Sequence, residues 1–141
     1  MTRAWSELGR VHARLGELVR GLPGVEVEDS HGHRSFILKG KRIAWLLVDH
    51  HGDDRLALWV KAPAGEQQAL VGSDPRRYFV PPYLGPSGWV GAQVDDASGP
   101  DWEQVGELLE QAWRMTAGKR AVASFDAGRA EPGTTGQTRG R

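Results

Sequence analysis

Six consecutive apolar residues, Ile43 to Val48, restrict the fold more than any other feature of the sequence. Successive side chains of an extended strand point to opposite faces, so a strand here would be apolar on both faces, with Ile43, Trp45 and Leu47 opposing Ala44, Leu46 and Val48. Such a strand must be covered on both faces, which is typical of the interior of a sheet. We therefore expect this segment to be a central strand.

Shorter strand patterns surround the central one. Val25 and Val27 alternate with acidic residues, residues 35–38 follow a loop at 29–33, and Leu56 to Val60 is a second apolar run. The connections are shorter than the dozen or so residues that a parallel crossover needs, and Gly40-Lys41 fits a tight turn. The sequence predicts an antiparallel meander of about four to five strands.

Two amphipathic patterns flank these strands. Apolar residues recur at three- and four-residue steps from Trp5 to Leu22, which is followed by Pro23, and again from Trp102 to Thr116, which is followed by Gly118. This period places the apolar residues on one face of a helix, where they can pack on a sheet. The predicted fold is α+β, an antiparallel sheet packed against N- and C-terminal helices.

The last part of the chain has a different composition. Beyond Ser124 the only large apolar residue is Phe125, and residues 133–141 are polar and rich in glycine. Such a segment buries too little apolar surface to offset the entropy lost on ordering. We expect one domain over residues 3–122 and a flexible polar tail over residues 123–141.

Composition excludes several classes of protein. The 141 residues include no cysteine, so disulfides and cysteine-ligated zinc are ruled out. No apolar run approaches the ~20 residues of a membrane helix, and the N-terminus lacks the pattern of a signal peptide. We expect a cytoplasmic protein that has no membrane contact and needs no cofactor.

The charges cancel in total but are unevenly placed. Eighteen basic and eighteen acidic residues give no net charge. Residues 34–42 hold four bases and no acid, whereas residues 92–111 hold six acids and no base. Net neutrality counts against a strong electrostatic DNA binder, but the pattern predicts a bipolar surface.

An ordered series of short motifs resembles the MmcQ/YjbR family over roughly residues 4–118. The resemblance rests on the following landmarks in order: Leu22-Pro-Gly-Val-Glu26, His31-Gly32, Ser35-Phe36, Gly40-Lys41, Leu56-Ala-Leu58, Tyr78-Phe79, Tyr83-Leu84, Gly88-Trp89-Val90 and Leu108-Leu-Glu-Gln-Ala-Trp113. It implies a bacterial protein with a CyaY-like, double-wing α+β fold that binds DNA. The family supplies no catalytic residues to transfer to this chain.

A candidate DNA-binding surface combines basic side chains with aromatic ones that could stack on bases. The basic candidates are Arg34, Lys39, Lys41, Arg42, Lys61, Arg76 and Arg77, and the aromatic ones are Tyr78 and Tyr83. The alternative is an ordinary solvated strand edge, with both tyrosines packed under the proline-rich connector. The sequence leaves both interpretations open.

Histidine and aspartate side chains are the candidate metal ligands and acid-base groups of the sequence. Two histidine groups, at 31–33 and at 50–51 near Asp53, fall in loops that we place near opposite ends of a strand pair, so we expect exposed histidines and no metal site. Asp95 with Asp96, or Asp49 with His50, could act in acid-base catalysis, but aspartate is common at turns and helix starts. We expect a non-catalytic protein.

The six tryptophans bear on an alternative function. Periodicity places Trp5, Trp45, Trp59, Trp102 and Trp113 at core positions, and leaves Trp89, between two glycines, either packed on the last helix or at the floor of a small groove. The alternative to DNA binding is therefore a protein-interaction or small-ligand module that uses the face from Tyr78 to Trp89.

Overall fold

The computed structural model describes residues 3–130 of the chain. Its elements in order are α1 (Arg3–Val19), β1 (Glu26–Ser30), β2 (His33–Leu38), β3 (Lys41–Val48), β4 (Leu56–Val60), α2 (Glu66–Ser73), β5 (Tyr78–Phe79), β6 (Val90–Gln93), α3 (Trp102–Ala117) and α4 (Lys119–Ala130). Short 3-10 turns lie at His50–Gly52, Gly85–Ser87 and Asp96–Ser98. None of the helices in this range is long and apolar enough to cross a membrane.

The six strands form one antiparallel sheet in the order β1-β2-β3-β4-β6-β5. The first four follow one another as a meander, and β6 then pairs with β4 while the two-residue β5 forms the outer edge. Strand β3 lies inside the sheet, between β2 and β4. The predicted α+β class and the central position of β3 are confirmed.

The main hydrophobic core lies between the sheet and the helices. Leu46 and Leu58 are fully buried on the sheet side, and Leu15 of α1 and Leu109 of α3 meet them from the helix side. Burying large aliphatic side chains of this kind contributes about 1.5–3 kcal/mol each to the free energy of folding. This core is the main source of the stability of the fold.

A smaller apolar cluster covers the other face of the sheet. Leu47, Trp59 and Trp89 are its buried members, and within residues 3–130 it contains no residue of α1–α4. We call this side of the sheet the helix-free face. Trp89 therefore packs on the sheet beside Trp59 rather than on the last helix, contrary to the more probable of the two sequence interpretations.

A bulge in β3 changes the predicted alternation of side chains. Ala44 pairs with Phe36 and Arg42 pairs with Ile37, so Ile43 has no partner opposite it on β2. The extra residue reverses the alternation: Ile43 joins the main core, and Arg42 lies on the helix-free face beside Trp45. The sequence predicted Ile43 on the same face as Trp45, which is wrong.

The tryptophans are less uniformly buried than periodicity predicted. Trp59 and Trp113 are core residues, whereas Trp45 and Trp102 are half-buried. Trp5 is 38% exposed, and its indole Nε1 donates a hydrogen bond to Asp49 Oδ2 at 3.3 Å. The Trp5 ring lies directly over Gly32, where a Cβ would be only 2.5 Å from the ring. Trp5 thus packs over the turn between β1 and β2 and is not a core residue.

The C-terminal boundary of the ordered region differs from the prediction. Residues 123–130, which were expected to belong to the tail, continue α4. Phe125 packs on Trp113 with ring centroids 4.8 Å apart, and Arg114 of α3 donates to Asp126 at 2.6 Å. A second ion pair joins Arg129 to Glu110 at 2.9 Å, and Val122 also packs on the main core. Two apolar side chains and two ion pairs thus dock a segment whose composition is mostly polar. The rest of the predicted tail, residues 131–141, lies outside the described residues.

We expect Phe125→Ala to release α4 while the sheet stays folded. Phe125 is only half-buried, so the free energy of unfolding should fall by about 1–2 kcal/mol, less than the ~3–5 kcal/mol typical of a fully buried phenylalanine. Hydrogen exchange should become fast in residues 119–130 and stay slow in β3. Phe125→Leu, which keeps an apolar contact, is the control. Unchanged protection of α4 in the alanine variant would contradict this role.

Candidate functional site

Four of the predicted DNA-binding residues lie at one end of the sheet. Lys39 and Lys41 flank the turn between β2 and β3, Arg42 follows in β3, and Lys61 follows β4. The backbone N–H of Lys61 donates to the carbonyl of Ile43 at 3.0 Å, which places it beside the start of β3. We call these four residues the basic end.

Two members of the basic end contact the C-terminus of α3. Lys39 Nζ donates to the carbonyl oxygen of Ala117, and Lys61 Nζ to Oγ1 of Thr116, both at 3.3 Å. Carbonyl groups at a helix C-terminus carry partial negative charge, which favours cations. The acidic segment, including Asp96 and Asp101, lies beyond β6 and at the start of α3. The predicted basic and acidic regions therefore lie near the C-terminal and N-terminal ends of α3, respectively.

No member of the basic end forms an ion pair within residues 3–130. The guanidinium of Arg42 lies 4.2 Å from the centre of the Trp45 ring, and its Nε donates to Ser35 Oγ at 3.0 Å. Neither partner is charged, so Arg42 keeps its full positive charge. The basic end can therefore bind an anion without breaking a contact to a carboxylate.

The other three basic candidates lie elsewhere. Arg34 is at the opposite end of β2, where it makes a two-pronged ion pair with Asp29 at 2.8 and 2.9 Å. Hydrogen bonding to Arg34 lowers the pKa of Asp29. Arg77 precedes the edge strand β5 and donates to Asp74 at 2.8 Å, and the neighbouring Arg76 is exposed. The seven predicted bases thus do not form one continuous surface.

The aromatic candidates are mostly unavailable for stacking. Tyr78 is 4% exposed and belongs to the main core, where burial raises the pKa of its hydroxyl to about 12. Trp89 is 8% exposed within the smaller cluster. Tyr83 is 86% exposed and has a φ of 66°, so it alone of the three projects into solvent.

The histidine loops lie at the same end of the sheet, not at opposite ends as the sequence suggested. His33 and His50 have ring centroids 6.0 Å apart, because β2 begins where β3 ends. The Nδ1 of His33 accepts the N–H of Val48 at 3.1 Å, and burial lowers the pKa of the ring. No group of three or more potential ligands within residues 3–130 is arranged to hold a metal ion.

The aspartates considered for acid-base chemistry make other contacts. Asp95 is buried and faces Arg55, whose Nε donates to it at 2.6 Å, whereas the exposed Asp96 pairs with Arg10 at 2.8 Å. Asp49 uses both carboxylate oxygens as acceptors: Oδ1 takes the N–H of Asp54 at 2.7 Å, and Oδ2 takes the Trp5 indole. Each carboxylate serves a structural contact in this arrangement.

The ion pair of Asp95 controls its protonation. Burial by itself opposes ionisation of Asp95, but hydrogen bonds from Arg55 and Ser98 outweigh it and lower the pKa of the carboxyl group. Arg55 also donates to Ser98 Oγ at 2.7 Å, so the three side chains form one network. This network joins the start of β4 to the end of β6.

A cavity of about 330 Å³ opens on the helix-free face, next to the network. Sequence analysis did not find it, because its lining comes from β3, β4, β6, the loop after β3 and the connector after β5. Phe79, Val80 and Pro82 of the predicted Tyr78–Trp89 face line it, but Tyr78, Tyr83 and Trp89 do not. The sequence feature that could have indicated the cavity is the pair of glycines, Gly91 and Gly85, on which Phe79 and Val80 pack.

Fold comparison places the chain in a class of small α+β proteins. It resembles the crystal structure of Deinococcus radiodurans protein DR2400, described as a DUF419 domain, with a TM-score of 0.61 and 20% sequence identity. The similarity covers 79% of this chain and 85% of that one. At this identity the likeness establishes the fold alone.

The YjbR family model matches residues 20–115, and the chain belongs to that family. The match spans β1 to most of α3 and so includes the entire sheet. It confirms the family that the sequence motifs indicated. No curated protein matches the sequence.

The network predicts how stability depends on pH. Asp95→Asn should lower the free energy of unfolding at pH 7 by about 2 kcal/mol, less than the ~3–5 kcal/mol for a fully buried pair because Arg55 is 37% exposed. The pKa of Asp95 is lower in the folded state, so its contribution is complete above the ordinary value of 3.8 and is lost as pH falls through the folded value.

Urea unfolding of both proteins at pH 7 and at pH 3 measures this effect. The stability difference between wild type and Asp95→Asn should narrow at pH 3. Asp96→Asn is the control, since its ion pair with Arg10 is exposed and should matter little. An Asp95→Asn difference of equal size at both pH values would show that the carboxylate charge is not what the network stabilises.

Proposed function

We propose that this protein binds DNA weakly and without sequence specificity, through phosphate contacts at the basic end. The observation that supports this most is the convergence of Lys39, Lys41, Arg42 and Lys61 with no ion pair to any of them in the described chain. The family resemblance drawn from the sequence motifs carries the same expectation.

The expected strength follows from the charge count. DNA affinity of this kind comes from releasing counterions as Lys and Arg neutralise phosphates, and four contacts give a salt slope of about −3.6 on a log–log plot. The chain has no net charge, so little long-range attraction adds to these contacts. Affinity in the range of ordinary non-specific binding, roughly 10⁻⁴–10⁻⁶ M, follows.

The proposal includes a non-catalytic role. The carboxylates that sequence analysis considered for acid-base chemistry each serve another contact: Asp95 with Arg55, Asp96 with Arg10, and Asp49 within its own loop. A general base must be free to reach the proton that it removes. These three residues are not placed for that task.

A second candidate is contact with a partner protein through the connector between β5 and β6. It is supported by two exposed apolar side chains there, Tyr83 at 86% and Val80 at 53% exposure. Exposed aromatic residues are enriched at protein interfaces. Tyr83→Ser would weaken such a contact and leave DNA binding unchanged, which separates the two functions.

We expect the triple variant Lys39, Lys41 and Arg42→Ala to lose most DNA binding. Removing three phosphate contacts should reduce the magnitude of the salt slope by about 2.7 and weaken binding at low salt. Fluorescence anisotropy with a labelled duplex of mixed sequence, at 20 to 200 mM salt, measures both quantities. Two unrelated duplex sequences should bind equally.

The matched control removes three bases from other surfaces. Arg3, Arg14 and Arg20 are exposed, and changing all three to alanine alters net charge by the same amount. This control should keep the wild-type slope. Equal loss in both triple variants would mean that total charge, not the basic end, determines binding, and absence of binding by the wild type at 20 mM salt would exclude the function.

A further inference from the structure

The cavity on the helix-free face has an apolar floor and an aromatic wall. Leu47, Ala57 and Trp59, from the paired strands β3 and β4, form the floor, and Phe79 and Val80 form a wall. Its volume of about 330 Å³ is at the lower end of the ~300–1,000 Å³ range of small-molecule sites. The size suits a compact, flat ligand.

Two glycines create the wall. Phe79 pairs with Gly91, and its ring lies so close over that glycine that any Cβ there would collide with it. A Cβ on Gly85 would lie 2.5 Å from Cγ1 of Val80. Because neither glycine has a side chain, both wall residues can lie back against the backbone and leave the cavity open.

The polar lining includes an acceptor without a donor. The side-chain oxygen Oε1 of Gln93 is enclosed and has no hydrogen-bond partner in the described chain. An enclosed polar atom of this kind costs roughly 1–3 kcal/mol. Gln93 also lines the cavity, so a different rotamer of its side chain would present the amide acceptor and donor to a ligand.

The charged lining offers no free cation. Arg55 directs Nε and Nη2 at Asp95 behind the cavity, so its charge is neutralised. Asp53 contributes a further carboxylate at the rim. An anionic ligand would meet this carboxylate and no uncompensated cation, which disfavours anions.

The rim on the β3–β4 side turns sharply. Asp49, His51 and Asp54 all have φ between 51° and 55°, in the left-handed region that aspartate and histidine adopt more often than most side chains. This geometry brings His50 to the rim, where its ring lies 5.7 Å from that of Trp59.

We propose that the cavity binds a flat, uncharged heteroaromatic compound of the nucleobase class. The rings of Phe79 and His50, both half-buried in the lining, offer aromatic surfaces for stacking, and the Gln93 amide can pair with a ring edge that carries a donor beside an acceptor. The neutralised Arg55 and the Asp53 carboxylate select against anionic aromatics. The lining shares no residue with the basic end, so the site is separate from the proposed DNA contacts.

Saturation-transfer difference NMR on the full chain tests the proposal with adenine and cytosine as probes. Benzoate, which is aromatic but anionic, is the comparison ligand. We expect signals from at least one base and at least tenfold weaker binding of benzoate. No transfer to either base at millimolar concentration, or equal binding of benzoate, would overturn the proposal.

Two variants locate the binding. Ala57→Phe fills the floor and should abolish transfer, and Gln93→Leu removes the amide and should weaken binding by about tenfold. Gln68→Leu, on the exposed side of α2, is the matched control and should bind as wild type. Circular dichroism verifies folding. Binding that survives both variants in folded protein would place the ligand elsewhere and refute the site.

Discussion

The structure depends on the burial of β3 on both faces. Leu46 on one face meets the helices, and Leu47 on the other meets Trp59 and Trp89. Neither face can be left in water, since each large apolar side chain that lost its cover would cost about 1.5–3 kcal/mol. The helices bury one face of β3, and the segment from β5 to β6 buries the other. This second segment covers its face incompletely, which leaves the cavity.

Charged side chains are placed at both ends of α3. Lys39 and Lys61 contact the last turn of this helix, and Asp101 caps its first turn by accepting the N–H of Gln104 at 3.1 Å. Both arrangements complement the helix dipole. The same placement that stabilises α3 also leaves an unpaired basic group at one end of the molecule, so the structural and the functional interpretation of these lysines are compatible.

The sequence predicted the fold better than it predicted the sites. Periodicity located α1, α3 and the meander, because burial on a regular face leaves a regular pattern. It misplaced Ile43, since a bulge is a local event with no periodic signature. It assigned the helix around Phe125 to the tail, because composition does not reveal that Val122, Phe125 and two ion pairs dock it on α3 and the core. The cavity was missed for a related reason: it is formed by side chains from segments that only the tertiary fold brings together.

The bulge at Ile43 also determines which alternative pairings the strand can adopt. With the extra residue, Arg42 lies over Trp45 in contact with water, and Ile43 is enclosed. A one-residue slip of this part of β3 would exchange the two, driving a guanidinium into the apolar interior and an isoleucine into solvent. The bulge thus fixes the pairing register of β2 and β3 near the turn. A shifted register would cost free energy twice, because it buries a charge and exposes an apolar side chain.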